Sequence, residues 1–284
     1  METWETLGTG RRGRPPAGDA RAPGLRRLAR PSGGAGGRRA PRLFAAAGTG
    51  LLAAMVAAQV ASGLRPGDLR LTTLVVVLLA AAALAYAAAA HTLPRAAGAF
   101  AAAVAAGYAA EWIGTRTGLP FGRYRYTGVL WPSPGGVPLI VALAWGGMGL
   151  AAHAVARRVV PGGRAARLAA GALALTAWDL FLDPQMLRLG LWEWAQPGPY
   201  RGVPVSNFIG WFLVSLLVMA LIGRIAGGPE AGSTGLVAVY TVMALMETVG
   251  FAAVFRPPDP LVATAGGIAM GAFALLAWRR RWRK

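Results

Sequence analysis

Four carboxylates stand inside or at the ends of long apolar runs: Glu111, Asp179, Asp183 and Glu247. A carboxylate in a membrane span costs about 2.5–3.5 kcal/mol on insertion scales, so each needs a reason. Asn207, the chain's only Asn, opens another apolar run, and aromatic residues crowd the same parts of the sequence: Trp112, Tyr124, Trp145, Trp178, Trp192, Trp194 and Trp211. Acids of this kind can pair with Arg, bind a metal, relay protons or act as general acids. The stretch Thr176–Trp211 concentrates them, with two Asp, one Glu, the Asn and four of the ten Trp.

Asp179 and Asp183 are four residues apart and would share one helix face. Pro184 disfavours helix at Asp183, so the span is expected to end there. The D-x-x-x-D spacing is that of membrane prenyltransferases holding magnesium diphosphate, but those need a second Asp-rich motif, and the other acids here are isolated. Lys284 is the only Lys. Trp192-Glu193-Trp194 lies in a Pro- and Gly-rich loop that either dips into the membrane or stands in solvent. Trp145 falls mid-span, too deep for an interfacial belt, as core packing or a pocket wall.

The elements that must position these residues are membrane helices. The 284 residues are 55% hydrophobic with mean hydropathy +0.48, and apolar runs reach the length that crosses a bilayer. Eight spans are expected, at about 43–64, 71–91, 96–114, 136–156, 167–182, 206–226, 233–255 and 261–278. The fold class is therefore all-α, a polytopic integral membrane helical bundle. Residues 1–42 carry ten Arg and no Lys and read as a disordered cytoplasmic tail; 43–278 form the membrane domain, and 279–284 a basic C-terminal tail. Gly8 to Gly13 match G-x-G-x-x-G by letter, without the strand and helix a dinucleotide site needs.

The net charge of +18 does not indicate nucleic acid, because the Arg lie in the tails and in alternate loops. That bias puts both termini in the cytoplasm and the four acids in the outer halves of spans three, five and seven. The complete lack of Cys excludes disulfides, thiolate metal sites and thiol nucleophiles. His91 and His153 are too few for a histidine-held iron centre and fall at the other ends of their spans. Pairing of the acids with Arg116, Arg123, Arg125, Arg188 or Arg201 is the structural alternative.

Three blocks resemble one family. Glu111 to Thr115 with Thr117 to Tyr124, Gly136 to Leu139 with Ala144-Trp145, and Ala177 through Trp194 to Trp211 are similar to the membrane carotenoid-biosynthesis hydratases of the CruF type. The resemblance spans roughly residues 45–278. It implies addition of water across the terminal double bond of an acyclic carotenoid end, giving a tertiary alcohol with neither organic cofactor nor metal. The implied partners are a carotenoid drawn from the lipid, membrane lipids and other enzymes of the pathway. A bacterial cell membrane is the implied location.

Protonating an isolated alkene needs a buried acid, aromatic faces that tolerate a cation, and one positioned water. On depth and residue type Asp179 is the expected donor and Glu111 the second choice, with Asp183, Glu247 and Asn207 holding water or tuning the donor. The aromatic residues above would line the pocket. A prenyltransferase or cyclase, and a non-catalytic carrier or transporter, are the competing readings.

Overall fold

The computed structural model describes residues 36–227 and 233–279. Most of the tail 1–42, and residues 280–284, lie outside them. Among the described residues, eight helices are long and apolar enough to cross a membrane: α1 (Gly36–Leu64), α2 (Leu69–Ala90), α3 (Leu93–Thr117), α4 (Leu139–Val159), α5 (Arg164–Arg188), α6 (Val205–Ala226), α7 (Thr234–Val249) and α8 (Pro260–Arg279). A π turn over Gly250–Val254 extends α7. Each expected span coincides with one helix. α1 begins inside the stretch expected to be tail and carries Pro41 within it.

Helix α4 is the centre of the bundle and packs on α2, α3, α5, α6, α7 and α8. Its sequence allows this, since Gly and Ala dominate its middle and let neighbouring helices approach closely. Gly107 of α3 is one such approach: a Cβ there would stand 2.3 Å from the Trp145 ring. Glycine at this position lets the one bulky residue of the α4 centre fit beneath α3.

The largest departure from expectation is α5, which does not end at Asp183 but runs through Pro184 to Arg188. Proline within a helix leaves the carbonyl four residues earlier without its N–H partner. That carbonyl belongs to Leu180, and the Tyr200 hydroxyl donates to it at 2.9 Å. Tyr200 comes from the following loop, so a tertiary contact repairs what the local sequence disfavours.

A second departure is a small antiparallel ribbon at this end of the bundle. Strand β1 (Tyr124–Tyr126) pairs with β2 (Trp192–Trp194) in the register Tyr124 to Trp194, Arg125 to Glu193 and Tyr126 to Trp192. Y-R-Y and W-E-W are both period-two patterns, aromatic on one face and charged on the other. The charged face is exposed, with Arg125 and Glu193 paired at 2.6 Å. The aromatic face turns toward the helices.

Candidate active site

Beneath the ribbon, the ends of α3, α5 and α6 bring Glu111, Asp183 and Asn207 to the wall of one cavity of about 20 Å³, room for about one water. Tyr124, Tyr126, Trp192, Trp194 and Trp211 complete it with Phe121 and two aliphatic side chains. Asn207 sits in the first turn of α6, three residues after Pro204, which leads the chain into the helix. Its single amide nitrogen donates to Oδ2 of Asp179 at 2.7 Å and also to Oδ2 of Asp183. One Asn thus joins two acids that helical spacing had placed on one face.

Asp179 is fully buried behind Asn207 and is not on the cavity wall. Its Oδ1 is buried without a partner. Asp183, one turn nearer the ribbon, faces the cavity instead. This changes the order expected from depth alone: the continuation of α5 past Pro184 keeps Asp183 inside the bundle rather than at a frayed end.

Glu111 is held differently. Its Oε2 accepts from the hydroxyls of Tyr124 and, at 2.8 Å, Tyr126; Oε1 accepts from the indole N–H of Trp145 at 3.1 Å. Burial, followed by the Glu111 charge, pushes both phenols well above their usual range, so they remain O–H donors. Trp145 lies flat on Trp211 with ring centroids 4.1 Å apart, and Trp211 meets the edge of Trp178 at 6.2 Å. Trp145 is therefore both core and second layer of the site.

None of the four buried acids pairs with Arg among the described residues. The ion pairs lie outside the cavity: Arg125 with Glu193, and Arg201 and Arg188 with Asp259. Stapling of the buried acids by loop Arg is not what the bundle does. Asp259 also accepts from the N–H of Val262 and so caps α8. Burial raises its pKa, but the Arg201 and Val262 hydrogen bonds and the two Arg charges outweigh this and hold it below the usual range.

Glu247 does not join the cluster. It lines a separate groove of about 230 Å³ between α1, α2, α5 and α7, with Gln59, Trp178, Leu182 and Met243. Among the described residues it has no hydrogen-bond partner. Trp112 also lies apart, 42% exposed, with the Arg116 guanidinium 4.1 Å above its ring. Neighbouring helix positions point about 100° apart, so Glu111 inward puts Trp112 outward.

A small apolar chamber lies between the two spaces. It is walled by Val76, Val141, Ala144, Leu182, Met186 and Trp211, among others. It shares Val141, Leu182, Trp192 and Trp211 with the acid cavity, and Thr72, Val76, Leu182 and Met186 with the groove. Leu182 borders all three.

The carotenoid biosynthesis protein family matches residues 72–275, which include every helix that contributes to the cavity. The chain belongs to this family. A bisanhydrobacterioruberin hydratase of Haloarcula japonica is 33% identical over 119 residues, 40% of each chain. The chain thus matches under half the length of that relative. No solved structure gives a significant match. The family and the eight apolar helices make this an integral membrane protein of carotenoid biosynthesis.

Three contributors were not singled out as site residues from sequence. Tyr126 carried a signal, the alternation with Tyr124, which places both rings on one strand face. Leu182 gave none, being one Leu among many. Tyr200 stood beside Arg201, but nothing local indicates that its hydroxyl reaches Leu180.

Proposed function

We propose that this protein hydrates the terminal double bond of an acyclic carotenoid end group, forming a tertiary alcohol. The observation that carries this reading is the cavity itself: carboxyls that form no ion pair among the described residues, aromatic faces around them, and an apolar chamber beside them. A long hydrocarbon would enter from the lipid through the groove and chamber and present its end to Asp183.

Asp183 is the proton donor in this scheme. Its proton adds to the less substituted alkene carbon, and the π electrons form that C–H bond, leaving a tertiary cation. Indole and phenol faces stabilise such a cation by roughly 0.5–2 kcal/mol each. Trp192, Trp211, Tyr124 and Tyr126 line the cavity and would supply these faces. Water then forms the C–O bond, and its surplus proton passes through a Tyr124 or Tyr126 hydroxyl to Glu111. Return of that proton to Asp183 through cavity water closes the cycle, so that one water is added and nothing is oxidised. Asn207 and Asp179 position Asp183 from behind. The bias of basic residues supports a cell-membrane orientation with both termini in the cytoplasm and the site in the outer half.

Expression in a lycopene-accumulating host, followed by product mass, is the test. A pigment heavier by one water, made without added cofactor, is the expected result. An unchanged pigment profile with the protein present in the membrane would overturn the reading; magnesium-dependent use of an isoprenyl diphosphate would favour a transferase.

A further inference from the structure

The end of the bundle opposite the acids holds another cavity, of about 380 Å³, between α4, α5 and α6. Arg157, Arg164, Arg167 and Arg224 line it, with His153 and a small apolar floor that includes Met219. Arg167 and Asp183 are sixteen residues apart on α5, or about 24 Å at the helical rise, so the two cavities are independent sites.

Several features point to an anion. Arg164 and Arg167 are three apart and lie on one side of α5. Arg167 is fixed by donating from its terminal nitrogen to the Pro161 carbonyl at 3.0 Å, while its Nε is buried without a partner. Among the described residues no carboxylate forms an ion pair with Arg164, Arg167 or Arg224. The N-terminus of α5 adjoins the cavity, and Gly163 offers no side chain to cap its free N–H groups. Arginine forks, a positive helix end and a recess fit a tetrahedral phosphate ester.

We propose that this recess binds a phosphate-type anion, with the phosphodiester headgroup of an anionic membrane lipid as the source that its position at a helix-end surface favours. The apolar floor would take the start of the acyl region. This site does not depend on the hydration chemistry.

The test uses the full chain purified in neutral detergent, with thermal unfolding followed by tryptophan fluorescence. Phosphatidylglycerol, phosphatidylcholine and inorganic phosphate are added separately at matched concentrations. Phosphatidylglycerol is expected to raise the midpoint in a saturable way, and phosphatidylcholine to leave it unchanged. A shift with inorganic phosphate of equal size would support the anion site and assign it to a free phosphate rather than a lipid. Arg164→Gln with Arg167→Gln and Arg224→Gln should abolish the shift, while Arg65→Gln with Arg70→Gln, at the other end, should retain it. Should the triple variant fail to fold, Arg224→Glu alone, at an exposed position, should weaken apparent lipid affinity about tenfold, the effect of losing roughly 1.4 kcal/mol. No midpoint shift with either anion, or a shift kept in full by the Arg variants, would overturn the proposal.

Discussion

Asp183 and Glu247 are both buried carboxyls of membrane helices, yet the bundle treats them differently. Asp183 is tied to Asp179 through Asn207 and shares a cavity with Glu111, two Tyr and three Trp. Glu247 faces an apolar groove with no hydrogen-bond partner among the described residues. Helix α5 separates them: Trp178 and Gln185 face the groove, while Asp183 faces the cavity. A buried acid marks a functional candidate, but its neighbours decide what it can do. A donor needs a second group to hold water and a third to take the returned proton, and only the Asp183 side has them.

The sharpest way to break this comparison is to neutralise each acid in turn. Asp183→Asn should lower hydration about 10²–10⁴-fold, the usual contribution of a positioned general acid. Glu247→Gln should leave it close to wild type. Product mass and yield in a lycopene-producing host read both, with membrane abundance as the control. Loss of activity in the Glu247 variant alone would move the site to the groove.

Asn207→Ala comes next. It removes the amide that joins Asp179 and Asp183 and leaves their facing oxygens unsatisfied, costing about 1–3 kcal/mol. Both the midpoint of unfolding in detergent and the hydration rate should fall. Glu247→Leu should do the opposite, gaining about 1 kcal/mol by removing a buried polar group that has no partner. A destabilised Glu247→Leu protein would mean that the acid is held by something the comparison omits.

Tyr200→Phe is smaller still. Without its hydroxyl the Leu180 carbonyl loses the partner that replaces the Pro184 N–H, for about 0.5–1.5 kcal/mol. Burial, with the nearby Asp259 and Asp179 charges, pushes the Tyr200 phenol up to about 12, so this bond persists across the neutral range. The least effect belongs to the ion-paired acid outside the cavity. The folded pKa of Asp259 lies below its unfolded value of about 3.9. Its contribution is therefore full above that unfolded pKa and fades as pH falls through the lower folded pKa. Asp259→Asn should therefore lower the neutral plateau by that small contribution and leave stability below the folded pKa little changed, so that the profile becomes flatter.

Much of this molecule was legible in its sequence, because a bilayer imposes length and polarity on every span. Hydrophobic runs near twenty residues have one stable backbone form in lipid, so the eight helices follow from composition. The rarity of acids in such runs made Glu111, Asp179, Asp183 and Glu247 candidates, and each is buried. The spacing of Asp179 and Asp183 also placed them on one side of α5, as Asn207 now reads them.

What the spacing could not decide is which helix faces meet. Rotation about a helix axis is set by packing against neighbours, and a residue's depth is silent on it. So Glu247, at similar depth, turned out to face a different space from Asp183, and Trp112 turned outward because Glu111 turned in. The same limit applies to α5 and the ribbon. Pro184 argues locally for a helix end, and only Tyr200, sixteen residues later, makes continuation stable. Y-R-Y and W-E-W are each three residues, too short to form strands alone, and they become strands because the two loops meet across the mouth of the bundle. The sequence by itself determined the helices and the residues that could act as acids. Tertiary structure decided which acids share a cavity, since helix rotation and loop pairing are long-range outcomes that no local pattern encodes.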